Sequence, residues 1–86
     1  MKVHNIEIAK INLAKIKNVD CFLQIVNRQE GVYALRHDTF VVNAKSLLGI
    51  FSLDLENDLL VIAVEAENSE VNELIEALKK ASLLID

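Results

Sequence analysis

Val42-Asn43-Ala44-Lys45-Ser46-Leu47-Leu48-Gly49-Ile50-Phe51-Ser52-Leu53 is the stretch on which the reading of this chain turns. Its first residues continue a segment, Thr39 to Ala44, rich in β-branched and aromatic side chains that suit a pleated strand. Its remainder, Ser46 to Leu53, reads as a short helix with Ser46 available as its N-cap, because a serine hydroxyl can accept a bond from an otherwise unpaired first-turn amide. A strand therefore passes directly into a helix at Lys45-Ser46.

Working outward, Val32 to Arg36 is a second β-rich run, separated from the first by His37-Asp38, so a hairpin joins them. The turn has no glycine, which leaves its type open. Further upstream, from about Lys15 to Arg28, Ile16, Val19, Phe22, Leu23 and Val26 recur at helical spacing and form one apolar stripe. Gly31 is a plausible stop, since glycine tolerates the left-handed conformation past a helix end. From Lys2 to Ile8 the pattern alternates, with His4, Ile6 and Ile8 on one face and Val3, Asn5 and Glu7 on the other.

Downstream, Leu59 to Val64 is a nearly continuous apolar run between Asn57-Asp58 and Glu65, which suits a central strand. The last segment is a helix capped by Asn68 or Ser69. Glu70 and Glu73 lie near its positive end, Lys79 and Lys80 near the other, and Val71, Leu74, Ile75 and Leu78 form its stripe. The order β-α-β-β-α-β-α predicts an α+β open-faced sandwich, a four-stranded antiparallel sheet covered on one face by three helices.

A chain of 86 residues is expected to form one domain over residues 1–86. With 52% hydrophobic residues in so small a body, some are expected on the surface as a contact patch. The net charge is -4 and no basic run occurs, so neither nucleic acid nor anionic lipid is an expected partner. No apolar stretch is long enough to span a bilayer, and the first residues read as a strand rather than a secretory leader. The lone Cys21 has no internal disulfide partner and suits a reducing cytoplasm, as a small helix residue rather than a nucleophile.

The segment from Val42 to Leu53 resembles the regulatory-serine motif of the HPr family, the histidine-containing phosphocarriers of the sugar phosphotransferase system. It has an asparagine, a lysine and a serine, then apolar residues around a glycine, then Ser-Leu. The motif sits at the junction of third strand and second helix, as in that family, and the element order is also the family's. The resemblance thus covers essentially the whole chain and implies the HPr-like fold.

Two departures bear on function. The family's phosphoryl-accepting histidine lies between the first strand and first helix, in Gly-x-His-x-Arg-Pro. Counting back from the serine motif puts Lys15 at the histidine, Lys17 at the arginine and Asn18 at the proline, and Ala9 to Asn27 contains no histidine. Asp54 stands where the family commonly has glycine, which puts the end of the short helix in question.

A phosphocarrier needs a nucleophile that forms a labile phosphoryl bond, and neutral imidazole supplies it near physiological pH. An exposed lysine is protonated there, so Lys15 is no substitute. His4 and His37 read as ordinary strand and turn residues without partners at metal-ligand spacing. The pair Glu65 and Glu67 could share a strand face, and reads as solvated rather than catalytic. No enzyme constellation, metal site or cofactor is expected.

Two sites follow as expectations. Lys10, Lys15 and Lys17, at or just before the first helix, could bind an anion or acidic partner; a solvated basic face is the plainer account. Ser46 is at the position that the resemblance makes a target of HPr kinase, with Leu47, Leu48 and Phe51 as a docking patch for a transcriptional regulator. Capping and core packing would account for the same residues. The expected function is a regulatory HPr-like protein of the phosphotransferase family without histidine phosphocarrier activity. The alternatives are a phosphorylation-independent homodimeric interaction module and a phosphocarrier with a non-standard nucleophile.

Overall fold

Apolar periodicity sorts the chain into the elements that the structure, a computed structural model describing residues 1–85, displays. They are β1 (Lys2–Ile11), α1 (Ile16–Asn27), β2 (Val32–His37), β3 (Phe40–Asn43), α2 (Leu47–Phe51), β4 (Leu59–Glu67) and α3 (Asn68–Lys80). The strands form one antiparallel sheet in the order β1-β4-β2-β3, an open-faced α+β sandwich. The apolar run predicted as a central strand is β4, which pairs with β1 on one side and β2 on the other.

Alternation decides which side chains meet the helices. Leu59, Val61 and Ala63 of β4 are buried, and across the ladders so are Ile11, Leu35 and Tyr33. Onto this face α1 lays Val19, Phe22 and Val26, and α3 lays Val71, Leu74 and Leu78. Burying each large side chain stabilises the fold by roughly 1.5–3 kcal/mol before the entropy of ordering is set against it. The core is apolar except for the Tyr33 hydroxyl, which is buried without a hydrogen-bond partner among the described residues.

Four expectations are corrected. β1 does not stop at Ile8 or alternate cleanly. Asn5 takes a left-handed φ of 50°, which asparagine tolerates, and the pairing with β4 shifts between Glu7 and Ala9. The two irregularities leave Ile6 exposed and bring Ala9 and Ile11 opposite Val61 and Leu59. Secondly, Ile16 does not join the buried stripe of α1; it stands in the first turn and is 77% exposed.

Thirdly, Gly31 ends nothing by a left-handed φ, because no glycine here has one. The helix ends at Arg28 in a right-handed conformation, where Arg28 N–H donates to the Ile25 carbonyl and Gln29 N–H to the Val26 carbonyl. Gly31 answers a close approach instead, since a Cβ there would lie 2.6 Å from Ala66 Cβ. Fourthly, Glu67, not Asn68 or Ser69, caps α3. β4 runs straight into the helix, and the Glu67 and Glu70 carboxylates accept from each other's backbone N–H in a capping box.

Asp54 does not disturb the end of α2. Ser52 closes that helix in a right-handed conformation, and Asp54 Oδ1 accepts from Glu56 N–H in the next turn. No helix among the described residues is long and apolar enough to cross a membrane.

Candidate functional site

Two surface regions hold the residues singled out from sequence, and they differ in how firmly they are built. The first is the turn from β3 into α2. Asn43 organises it: its Oδ1 accepts from Lys45 N–H at 2.9 Å, and its carbonyl accepts from Ser46 N–H at 3.1 Å. Ser46 is extended, with φ -102° and ψ 116°, and its Oγ accepts from Gly49 N–H at 3.1 Å. It is thus the expected N-cap, satisfying an amide that has no partner within the helix.

Gly49 lets α2 lie close on β3, because a Cβ there would be 3.3 Å from both Ser46 Cβ and Val42 Cβ. Only Ile50 of this helix enters the core, at 0% exposure. Leu47 and Phe51 are each 48% exposed and Leu48 is 83% exposed, so an apolar face turns to solvent. These three leucine and phenylalanine side chains do not pack the core. Ser46 is half-buried beside them.

Lys45 anchors the same turn from below. Its Nζ donates to the Gln29 carbonyl after α1 and lies 5.9 Å from the Tyr33 ring centroid, within reach of a cation–π attraction. Burial raises the Tyr33 phenol above its ordinary 10.0, and the Glu70 carboxylate raises it further. Sequence reasoning passed over this contact because Lys45 and Tyr33 are distant in the chain. Only the β2–β3 hairpin brings them together.

The second region is the entry to α1. Lys15 is its extended N-cap and makes no side-chain capping bond, a weaker start than a serine or aspartate would give. Lys15 and Lys17 line an open pocket with Asn12, Asn18, Cys21 and Ser82, where α1 meets the turn after α3. Both lysines are exposed, and among the described residues neither joins an ion pair. Lys10, the third lysine of the expected anion site, does not line this pocket. It belongs to β1, opposite Leu60, and its carbonyl accepts from Ile85 N–H at 2.8 Å.

Neither histidine reaches this entry. His4 on β1 stands opposite Glu65, with Nε2 at 3.7 Å from its carboxylate, and His37 ends β2 with Nε2 at 3.6 Å from Asp38. Glu65 and Glu67 do not act as a pair: Glu65 faces Lys2 and His4, and Glu67 meets the N-terminal amine at 3.3 Å. Among the described residues no group of three or more His, Cys, Asp or Glu side chains gathers in metal-binding range.

Exposure of Ile16 at the entry, and of Phe40 and Val41 on β3, was missed from sequence. A helical stripe and a β-rich run both read as buried, and no local signal marks which of their members the remaining layers leave uncovered. No family model matches the chain, and no curated protein or solved structure matches it.

Proposed function

We propose that this chain is an HPr-like, non-enzymatic interaction protein that docks a protein partner through the exposed face of α2 and does not carry phosphate on histidine. The observation that carries the reading is the division within α2. Ile50 alone secures the helix to the core, while Leu47, Leu48 and Phe51 offer solvent three large apolar side chains on a small area. Such a cluster, rigid because its helix is capped and fixed to β3, is the kind of anchor that partner pockets take up. The absence of histidine from Ala9 to Asn27 removes the imidazole that a phosphocarrier would use.

Ser46 is the regulatory point in this reading. A phosphoryl group on its Oγ would stand beside the first amides of α2, where negative charge is favourable, and next to the docking side chains. It would change which partner the face accepts without needing to move the fold. The partner is a protein, with an HPr kinase, a transcriptional regulator and a second copy as the candidates, and the compartment is the cytoplasm.

Intact mass tests the reading after incubation with enzyme I and phosphoenolpyruvate, and separately with HPr kinase and ATP. Label from the kinase alone, absent in Ser46→Ala, is the expected result. Label from enzyme I would overturn it and require another nucleophile. Silence in both would remove the phosphorylation and leave the alternative, an interaction module that works unmodified.

A further inference from the structure

We propose that the outer edge of β3 pairs with the same edge of a second copy of this chain, in antiparallel register about Val41. The inference does not rest on the docking face of α2. It rests on where the backbone groups of β3 point.

Ala44 N–H donates to the Tyr33 carbonyl at 3.0 Å. In an antiparallel ladder, residues that exchange bonds alternate with residues that do not. Given the register of Leu35 with Val42 and His37 with Phe40, those are the bonded pairs of the hairpin. Val41 and Asn43 therefore direct their backbone groups away from β2. Asn43 spends its carbonyl on Ser46 N–H, but the N–H and C=O of Val41 and the N–H of Asn43 have no partner among the described residues.

An edge of this sort is ordinarily blunted by charge, proline, a bulge or a cover. Phe40-Val41-Val42-Asn43 has no charged residue and no proline, and its register with β2 is unbroken. Phe40 is 68% exposed and Val41 56% exposed. The opposite edge of the sheet is protected by charge, by a register shift and by a covering segment, none of which β3 has. β1 carries Lys2, Glu7 and Lys10, has a register shift, and is bridged near its end by the C-terminal segment through Ile11 and Leu84.

A second copy fits because the strand complements itself. With Val41 opposite the second copy's Val41, each Val41 N–H donates to the other's carbonyl, and each Asn43 N–H reaches the other's Thr39 carbonyl. Phe40 then faces Val42 on the helix side of the sheet, twice over by symmetry, and Thr39 faces Asn43 on the open side. All cross-strand pairs are apolar with apolar or polar with polar, so the net charge of -4 per copy puts no like charges in the ladder. The contact is isologous and closes as a dimer. With only 4 residues in β3 it is small, so association is weak and concentration-dependent.

Light scattering on the eluting chain, over a dilution series from millimolar downward, tests the proposal with the wild type, Val41→Pro, Val41→Glu and Leu48→Asp. Proline at Val41 removes only an outward N–H, as edge positions allow. Glutamate there gains Arg36 as a cross-strand neighbour in its own sheet, but meets its own copy across the dimer axis. The expected result is a wild-type mass rising from monomer towards dimer, both Val41 variants monomeric with unchanged circular dichroism, and Leu48→Asp behaving as wild type. If Val41→Pro unfolds, Val41→Glu decides. A wild type that stays monomeric throughout, a dimer that survives Val41→Glu, or a dimer lost in Leu48→Asp would overturn the proposal.

Discussion

Tyr33 places a hydroxyl in the core with no partner among the described residues, and that has a consequence for stability. Its phenol is raised above 10.0 by burial first and by Glu70 second. In the unfolded chain the group titrates at the ordinary value, so above it the unfolded state has released a proton that the folded state still holds. The unfolded state then binds fewer protons, and stability falls as pH rises from that value towards the folded pKa. Urea midpoints measured between about pH 8 and about pH 11 should therefore drop more steeply for the wild type than for Tyr33→Phe, which lacks the group. At neutral pH the same substitution should cost little, because it removes a hydroxyl that made no bond in the fold. Parallel slopes for the two proteins would show that the phenol ionises as readily inside as outside. At this scale the sequence was only partly legible. Ser46 announced its capping role through local chemistry alone, whereas the need for glycine at 31 arises from Ala66, far along the chain, and no local rule contains it.

Elements were more legible than residues, because a strand or helix sums many weak signals that agree. α1 and α3 followed from periodicity and β4 from its nearly continuous apolar run, and even the short α2 was visible from its cap and its apolar pattern. The ends and faces were less so. Where β4 ran on to Glu67, the best local capping residues, Asn68 and Ser69, were already inside the helix. Where Asn5 turned left-handed, the inside-outside pattern of β1 was lost at Ile6. For α2 the uncertainty was whether its leucines served the core or the surface, and the structure makes that a measurable distinction. Ile50→Ala should lose about 2–5 kcal/mol by leaving a cavity under the helix. Leu48→Ala should stay within about 0.5 kcal/mol of the wild type, because its side chain is 83% exposed and leaves no void. Equal losses in chemical denaturation would mean that Leu48 is a packing residue and would withdraw it from the docking face.

The whole molecule is organised around β4, and its stability should be graded outward from that strand. β4 is flanked by a strand on each side and roofed by helices, so its amides can open only when most of the core does. Local opening costs least where backbone bonds face solvent and few apolar contacts close over them. β3 meets that description, with one neighbouring strand, exposed Phe40 and Val41, and a five-residue helix above it. Amide hydrogen exchange should accordingly be slowest from Leu59 to Ala63 and fast at Val41 and Asn43, whose N–H groups have no partner among the described residues of one copy. The self-pairing proposed for β3 adds a condition that no property of the single chain would produce. Raising protein concentration should slow exchange at Val41 and Asn43 specifically, because each N–H then gains a carbonyl from the second copy, while the β4 amides keep their rates. The inward amides of Phe40 and Val42, already bonded to β2, should change much less. Protection that rose evenly along the chain would indicate general association through another surface, and constant rates at Val41 would indicate that the edge stays open.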